Sequence, residues 1–265
     1  MLQRQLTNTI PSCSSIPADS QLCCEVEQKS RHSRIQSDMP TQTVNGIPVK
    51  DILYPLKDDP ELVERVAQRK AAAPTLDIVD PDPTWPKHFQ TFKSRILAAF
   101  DQQETPANNS DNVTILSLTH VGSTSIPGLP AKAVIDIDLV LSPLSSESFY
   151  VPQLEKAGFQ FLLREPAWHG HRFFYAGEPL PCNLHVWGPG CAEVERHRIF
   201  RDWLCECVDD KKLYARVKRE CAALSRQGRE EMSEYTERKD EVIQEILTRA
   251  LRERGYVVDG EQARH

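Results

Sequence analysis

The chain has 265 residues, 40% hydrophobic and 26% charged, with a formal net charge of -6. That length holds one medium domain or two small ones. The acidic balance argues against broad non-specific nucleic-acid binding, and no run is long and apolar enough to span a membrane. The 19 prolines and a mean hydropathy of -0.47 suggest that part of the chain lies outside any packed core. The 8 cysteines are scattered, make no pair of C-x-x-C knuckles and follow no apolar signal peptide. Reduced thiols in a cytoplasmic protein are therefore expected. A weak organelle-targeting signal is the alternative, since the start is poor in acids and carries Arg4.

Residues 1–45 are rich in Ser, Thr, Gln and Pro, with little apolar periodicity, and read as a disordered extension. Residues 46–75 read as a linker and a short helix that starts at Asp59-Pro60-Glu61 and carries Leu62, Val63, Val66 and Ala67 as far as Ala73. Residues 76–255 form the predicted domain, and 256–265 a disordered tail. Leu76–Val79 reads as a strand. Asp80-Pro81-Asp82-Pro83 forces a turn, and Thr84 begins a helix with Phe89, Phe92, Ile96, Leu97 and Phe100 on its buried face. Gln102 to Asp111 is a polar loop.

The central stretch runs from Thr119 to Leu141. Val113–Val121 is a β-branched strand ending at a glycine. Gly122-Ser123-Thr124-Ser125 then offers hydroxyls and backbone N–H groups suited to close approach by a phosphate. Ala133–Leu141 is a second strand. Side chains alternate across a strand, so Asp136 and Asp138 share one face while Ile135, Ile137 and Leu139 fill the other. Two adjacent carboxylates in so apolar a run call for a cation, and hard oxygen ligands suit Mg2+ or Mn2+.

Beyond it, Ser142 to Gly158 reads as a helix crossing back over the sheet. Phe159–Leu163, His171–Tyr175 and Cys182–Trp187 read as strands, and the chain is helical from Cys191 onward. The expected class is α/β or α+β: a small mixed sheet flanked by helices and closed by a C-terminal helical block.

A glycine-serine turn before a strand carrying Asp-x-Asp resembles the signature of the nucleotidyltransferase superfamily, the polymerase-β-like fold. More closely, His120–Lys132 (H-V-G-S-T-S-I-P-G-L-P-A-K) resembles the defining motif of the GrpB-like family, and three later segments also resemble it: N-L-H-V at Asn183–Val186, F-R-D-W-L at Phe200–Leu204 and Y-T-x-x-K at Tyr235–Lys239. The resemblance implies a nucleotidyltransferase-type sheet. It also implies a protein that binds a nucleoside triphosphate with Mg2+ (or Mn2+) and transfers a nucleotidyl group to a small acceptor. The alternative is a catalytically inactive nucleotide-binding or interaction module of the same fold. Neither a membrane nor nucleic acid is an expected partner. Some members are fused to a dephospho-coenzyme A kinase; here Gly122 and Gly128 are spaced too widely for G-x-x-x-x-G-K-[ST], and that kinase is not expected.

Asp136, Asp138 and His185 are the expected catalytic residues, with Asp136 and Asp138 holding the metal. Gly122, Ser123, Thr124, Lys132, Arg198, Arg201, Tyr235 and Lys239 are the expected nucleotide and phosphate ligands. Each has a plainer reading: a solvated lysine for Lys132, a surface ion pair for Arg201-Asp202, a hydrogen-bonded core residue for His185. His120 is placed to order the loop. Active superfamily members present a third carboxylate on a later strand; here Asn183 and His185 stand at that strand, which leaves Glu178 and Glu193 as the acids to look for. A zinc site from His169, His171, Cys182 and His185 is a rival, weakened because Cys182 and His185 point to opposite sides of a strand. Catalysis by Cys205 or Cys207 has less support, since both sit on or beside a helix face carrying Trp203 and Leu204.

Overall fold

The computed structural model describes residues 42–56, 59–71, 74–101, 113–228 and 239–257. The expected extension before Gln42, the loop 102–111, Tyr235 and the last eight residues lie outside these.

The core is a six-stranded mixed sheet. Its strands are β3 (Glu64–Arg65), β4 (Thr114–Val121), β5 (Ile135–Ser142), β6 (Gln160–Glu165), β7 (His171–Ala176) and β8 (Cys182–Trp187), in the order β3-β6-β7-β8-β5-β4. The β5–β8 pair is parallel and the other neighbours are antiparallel. The alternation in β5 sorts its side chains as expected. Ile135, Ile137, Leu139 and Leu141 are all 0% exposed. They meet Phe92 and Ile96 of α2 (Trp85–Asp101) and Tyr150 and Leu154 of α3 (Glu147–Lys156) in one apolar cluster. Burying such a side chain contributes about 1.5–3 kcal/mol, so these four hold the strand in register.

The opposite face of β5 carries Asp136 and Asp138. The helical block lies on that side: α4 (Ala192–Glu206), α5 (Val208–Gly228) and α6 (Asp240–Glu253). Phe200, Leu204, Tyr214, Val242 and Ile246 from these helices close over Ile126 and Leu129 of the segment between β4 and β5.

Three expectations give way. The first is the boundary of the domain. Thr43–Val44 (β1) and Ile47–Pro48 (β2) form a small hairpin leading into α1 (Val49–Leu53). Val44, Val49, Ile52 and Leu53 are buried against Ile199, Leu247 and Leu251, so residues from Thr43 onward are part of the packed unit rather than extension or linker. Tyr256 and Val257 pack on the same cluster and are not tail. The second is the helix over 59–73. Only one 3-10 turn forms there, Pro60–Leu62, with the Asp59 carboxylate accepting from Glu61 N–H (3.0 Å). The chain then runs extended, and Val66 N–H donates to Leu162 O (2.8 Å) at the sheet edge. The apolar residues that suggested a helical stripe flank the two-residue edge strand β3, and Leu62 and Val66 stay exposed. The third is the strand over 76–79, which reduces to a single bridge, Val79 with Ala131.

Candidate functional site

The site grows from the end of β4. Gly122 adopts φ +65 and ψ -170, a conformation almost confined to glycine. A Cβ there would lie 2.4 Å from Asp136 Oδ2 and 2.9 Å from Asp136 Cβ, so only glycine lets the bend touch this acid. Ser123–Ser125 form a 3-10 turn. The buried Thr124 hydroxyl donates to Val134 O (2.9 Å), so it accepts from His120 Nε2–H (3.0 Å). His120 stacks on Phe89, and burial, with the nearby Arg201 charge, lowers its pKa to about 4. His120 and Thr124 therefore brace the bend. Gly122 and Ser123 line a cavity; Thr124 is spent inside.

Asp136 stands between this bend and a group of lysines. Its Oδ1 accepts from Asn183 Nδ2 (2.8 Å), the neighbour across the parallel β5–β8 pair, and its Oδ2 lies against Gly122. The charges of Lys132, Lys218 and Lys239 act on one another and on Asp136. Lys218 is only 2% exposed and donates to Pro130 O (2.7 Å). Burial, then lysine-lysine repulsion, pushes Lys218 well below the usual lysine range and Lys239 down to about 8. Burial also lowers Lys132, against the pull of Asp136. Asp136 acts on all three lysines and Asp240 on Lys239, against the repulsion among the lysines themselves.

Asp138, two residues along, has a different setting. It is 1% exposed, and its oxygens accept from Trp187 Nε1–H (2.9 Å) and His197 Nδ1–H (2.8 Å). Burial opposes the charge on both partners. The Coulomb attraction and hydrogen bond between them overcome it, lowering the pKa of Asp138 and raising that of His197 to about 9. The pair is thus carboxylate and imidazolium at neutral pH. Beside it, the Glu165 carboxylate accepts a hydrogen bond from His171 Nδ1–H, and His171 Nε2 pairs with His185 Nδ1 (3.0 Å). Burial keeps both rings neutral, at about 3 for His171 and about 4 for His185. His185 thus donates Nδ1–H to His171, and its lone pair sits on Nε2.

The other wall comes from α4. Glu193, Arg196, His197 and Phe200 follow the i, i+3, i+4, i+7 spacing of one helix face and line a cavity of about 840 Å³. The cavity reaches from Gly122 and Ser123, past Tyr214 and Arg201, to residues 53–56. Arg201 Nη1 donates to His120 O (3.1 Å), and its other guanidinium nitrogens hold Asp202 Oδ1. Arg198 is absent from the cavity lining, and its guanidinium is occupied by Glu195 and Asp202. The expectation that Arg198 and Arg201 present a joint phosphate clamp therefore fails: Arg196, two residues earlier on the same helix, lines the cavity where Arg198 does not.

Among the described residues, no group of three or more His, Cys, Asp or Glu side chains is disposed to hold a metal ion. The zinc reading loses His171 and His185 to each other. Asp138 has both oxygens engaged by N–H donors, which does not suit a bridging ligand between two metals. Neither Glu178 nor Glu193 completes a third-carboxylate set. Asp136, with Oδ1 taken by Asn183, keeps Oδ2 beside the Gly122 bend. Lys132 and Lys239 belong to its neighbourhood, and Tyr235 lies outside the described residues.

Residues 75–249 match the profile of the family described as GrpB protein. The chain is 38% identical over 195 residues to UPF0157 protein BH1888 of Halalkalibacterium halodurans, 73% of this chain and 92% of that protein. It is 36% identical over 180 residues to UPF0157 protein PA4798 of Pseudomonas aeruginosa, 66% of this chain and 68% of that protein. It is 28% identical over 179 residues to a dephospho-CoA kinase of Mycolicibacterium paratuberculosis and spans 41% of that protein's length. The crystal structure of conserved protein GrpB from Enterococcus faecalis shares the fold, with a TM-score of 0.53 at 22% identity over 67% of this chain and 99% of that one. On these matches, this chain belongs to the GrpB family.

Proposed function

We propose that this chain binds a nucleoside triphosphate, with the polyphosphate against Gly122 and Ser123 and its charge met by Lys132, Lys218 and Lys239. The observation that carries this is the lysine group: three cations whose pKa values are all depressed by burial and mutual repulsion, beside a glycine bend. An anion placed beside such a group would relieve the repulsion among its lysines. Asp136 would be the residue that holds Mg2+ carried on the polyphosphate. Mg2+ keeps several waters and needs only one or two carboxylates besides phosphate oxygens, so a single acid suffices. When bound, the ion neutralises phosphate charge and favours attack at phosphorus.

Transfer of the nucleotidyl group to a small acceptor is the fuller reading. A nucleotide-binding module without transfer is the second, and one observation favours it: Asp138, the partner acid, is sealed by Trp187 and His197. Calorimetry with ATP, GTP, CTP and UTP, with and without Mg2+, tests the binding. Lys239→Met is expected to weaken it about tenfold, the equivalent of one charge-assisted contact of ~1.4 kcal/mol. No binding of any of the four overturns the proposal. Pyrophosphate release with a metabolite library separates transfer from binding alone.

A further inference from the structure

One polar atom in the cavity is left unmatched. Glu193 is 5% exposed and lines the cavity, and its Oε1 has no hydrogen-bond partner among the described residues. A carboxylate oxygen withdrawn from water with nothing to accept from is costly, and native sites that keep one are usually completed by something that binds. Arg196 and His197 act on Glu193 through their charges, but their hydrogen bonds go to other groups. Arg196 Nη1 donates to Ile52 O (2.9 Å) and also reaches Leu53 O and Gln244 Oε1. His197 is held by Asp138.

The surroundings say what kind of group would complete it. Leu53, Leu56, Phe200, Ile243 and Leu247 give this end of the cavity an apolar wall, with the Trp168 indole on the same lining. An apolar wall, an indole and one unmatched carboxylate oxygen suit an N–H donor carried on an apolar body, above all a protonated amine. Leu53 and Leu56 belong to a segment that precedes residues 75–249, the stretch matched to the family, so part of this wall is supplied from outside the family domain.

We infer that the Glu193 end of the cavity is a subsite for a small amphipathic amine, with Glu193 accepting from its ammonium group and the apolar wall holding its body. Because the same cavity opens on Gly122 and Ser123, this subsite gives the chemical class of the acceptor left open above, and in that role alone it rests on the nucleotide reading. Binding of the amine by itself does not depend on a nucleotide.

The test is saturation-transfer NMR and calorimetry on the full chain. The probes are phenethylamine and tryptamine, with 2-phenylethanol as the uncharged counterpart. The wild type is expected to prefer phenethylamine over the alcohol by about tenfold, and Glu193→Gln to abolish that preference. Leu56→Trp, at the cavity rim, is a second variant that leaves Glu193 in place; it is expected to weaken amine and alcohol alike. ATP binding is measured in parallel and is expected to be unchanged in Glu193→Gln. Failure of the wild type to bind either amine, an equal affinity for the alcohol, or full amine preference in Glu193→Gln overturns the subsite. If the amines bind as described and ATP does not, the nucleotide reading fails and the subsite stands; if ATP binds and the amines do not, the reverse holds.

Discussion

Asp136 and Asp138 sit two residues apart on one face of one strand, and they lie in opposite kinds of surroundings. Around Asp136 the backbone bends at Gly122 and three lysines repel one another, with Asp136 and Asp240 drawing on them. Around Asp138 the account closes: one carboxylate, one imidazolium, one indole N–H, and a neutral histidine pair behind. The first region gathers like charges beside a bend, which is the setting the proposed anion would use. The second is balanced and needs nothing added. An Asp-x-Asp on a strand therefore does not by itself define a two-carboxylate metal centre. What the next layer of structure places over each acid decides its role.

The largest expected effect breaks the balanced side. Asp138→Ala leaves His197 without its counter-charge and Trp187 without an acceptor in a buried place. Removing one partner of such a pair costs about 3 kcal/mol, read by urea unfolding near pH 6. A loss below about 1 kcal/mol, as for an exposed pair, would mean that the region is not sealed.

Next comes the bend that serves the Asp136 side. Gly122→Ala puts a methyl group into Asp136 and asks alanine to hold φ +65. Strain of this kind costs about 1–3 kcal/mol. The variant is expected to lose ATP affinity as well as stability, because Asp136 or the bend must move. Retained affinity with lowered stability would show that the bend is only architectural.

A smaller effect sharpens the contrast through pH. His197 is raised from 6.5 to about 9, so its contribution is complete below pH 6.5 and disappears as pH rises through about 9. Asp138 is lowered, so its share is present above the ordinary carboxylate value of 3.8 and is lost as pH falls below it. The stability difference between wild type and His197→Asn should thus be greatest near pH 5–6 and shrink towards pH 9. A difference that is flat across this range would mean that His197 is neutral in the fold.

Much of this layout was legible in the residues. The alternation of V-I-D-I-D-L-V-L put both acids on one face, and the G-S-T-S bend beside them followed from its composition. The pairing of β5 with β8, which sets Asn183 next to Asp136, accords with the expected shared face of Asn183 and His185. What stayed hidden was set by distant contacts. The partner of Asp138 comes from α4, 59 positions away. The spacing of Glu193, Arg196, His197 and Phe200 was a usable signal, but charge drew attention to Arg201, which does line the cavity, and to Arg198, which does not. Residues 62–67 misled for a related reason: their apolar spacing suits a helix, while β6 offers an open edge that pairs with the chain first. Local periodicity carries no information about such an edge.

The measurement that tests the difference between the two acids most directly is ATP affinity, with and without Mg2+, for Asp136→Asn and Asp138→Asn at a temperature where both are folded. The account predicts that Asp136→Asn loses the Mg2+-dependent part of the affinity and keeps the rest, while Asp138→Asn binds as the wild type does and is only less stable. Equal loss of Mg2+-dependent binding in both variants would contradict it, since the two acids would then be sharing a metal.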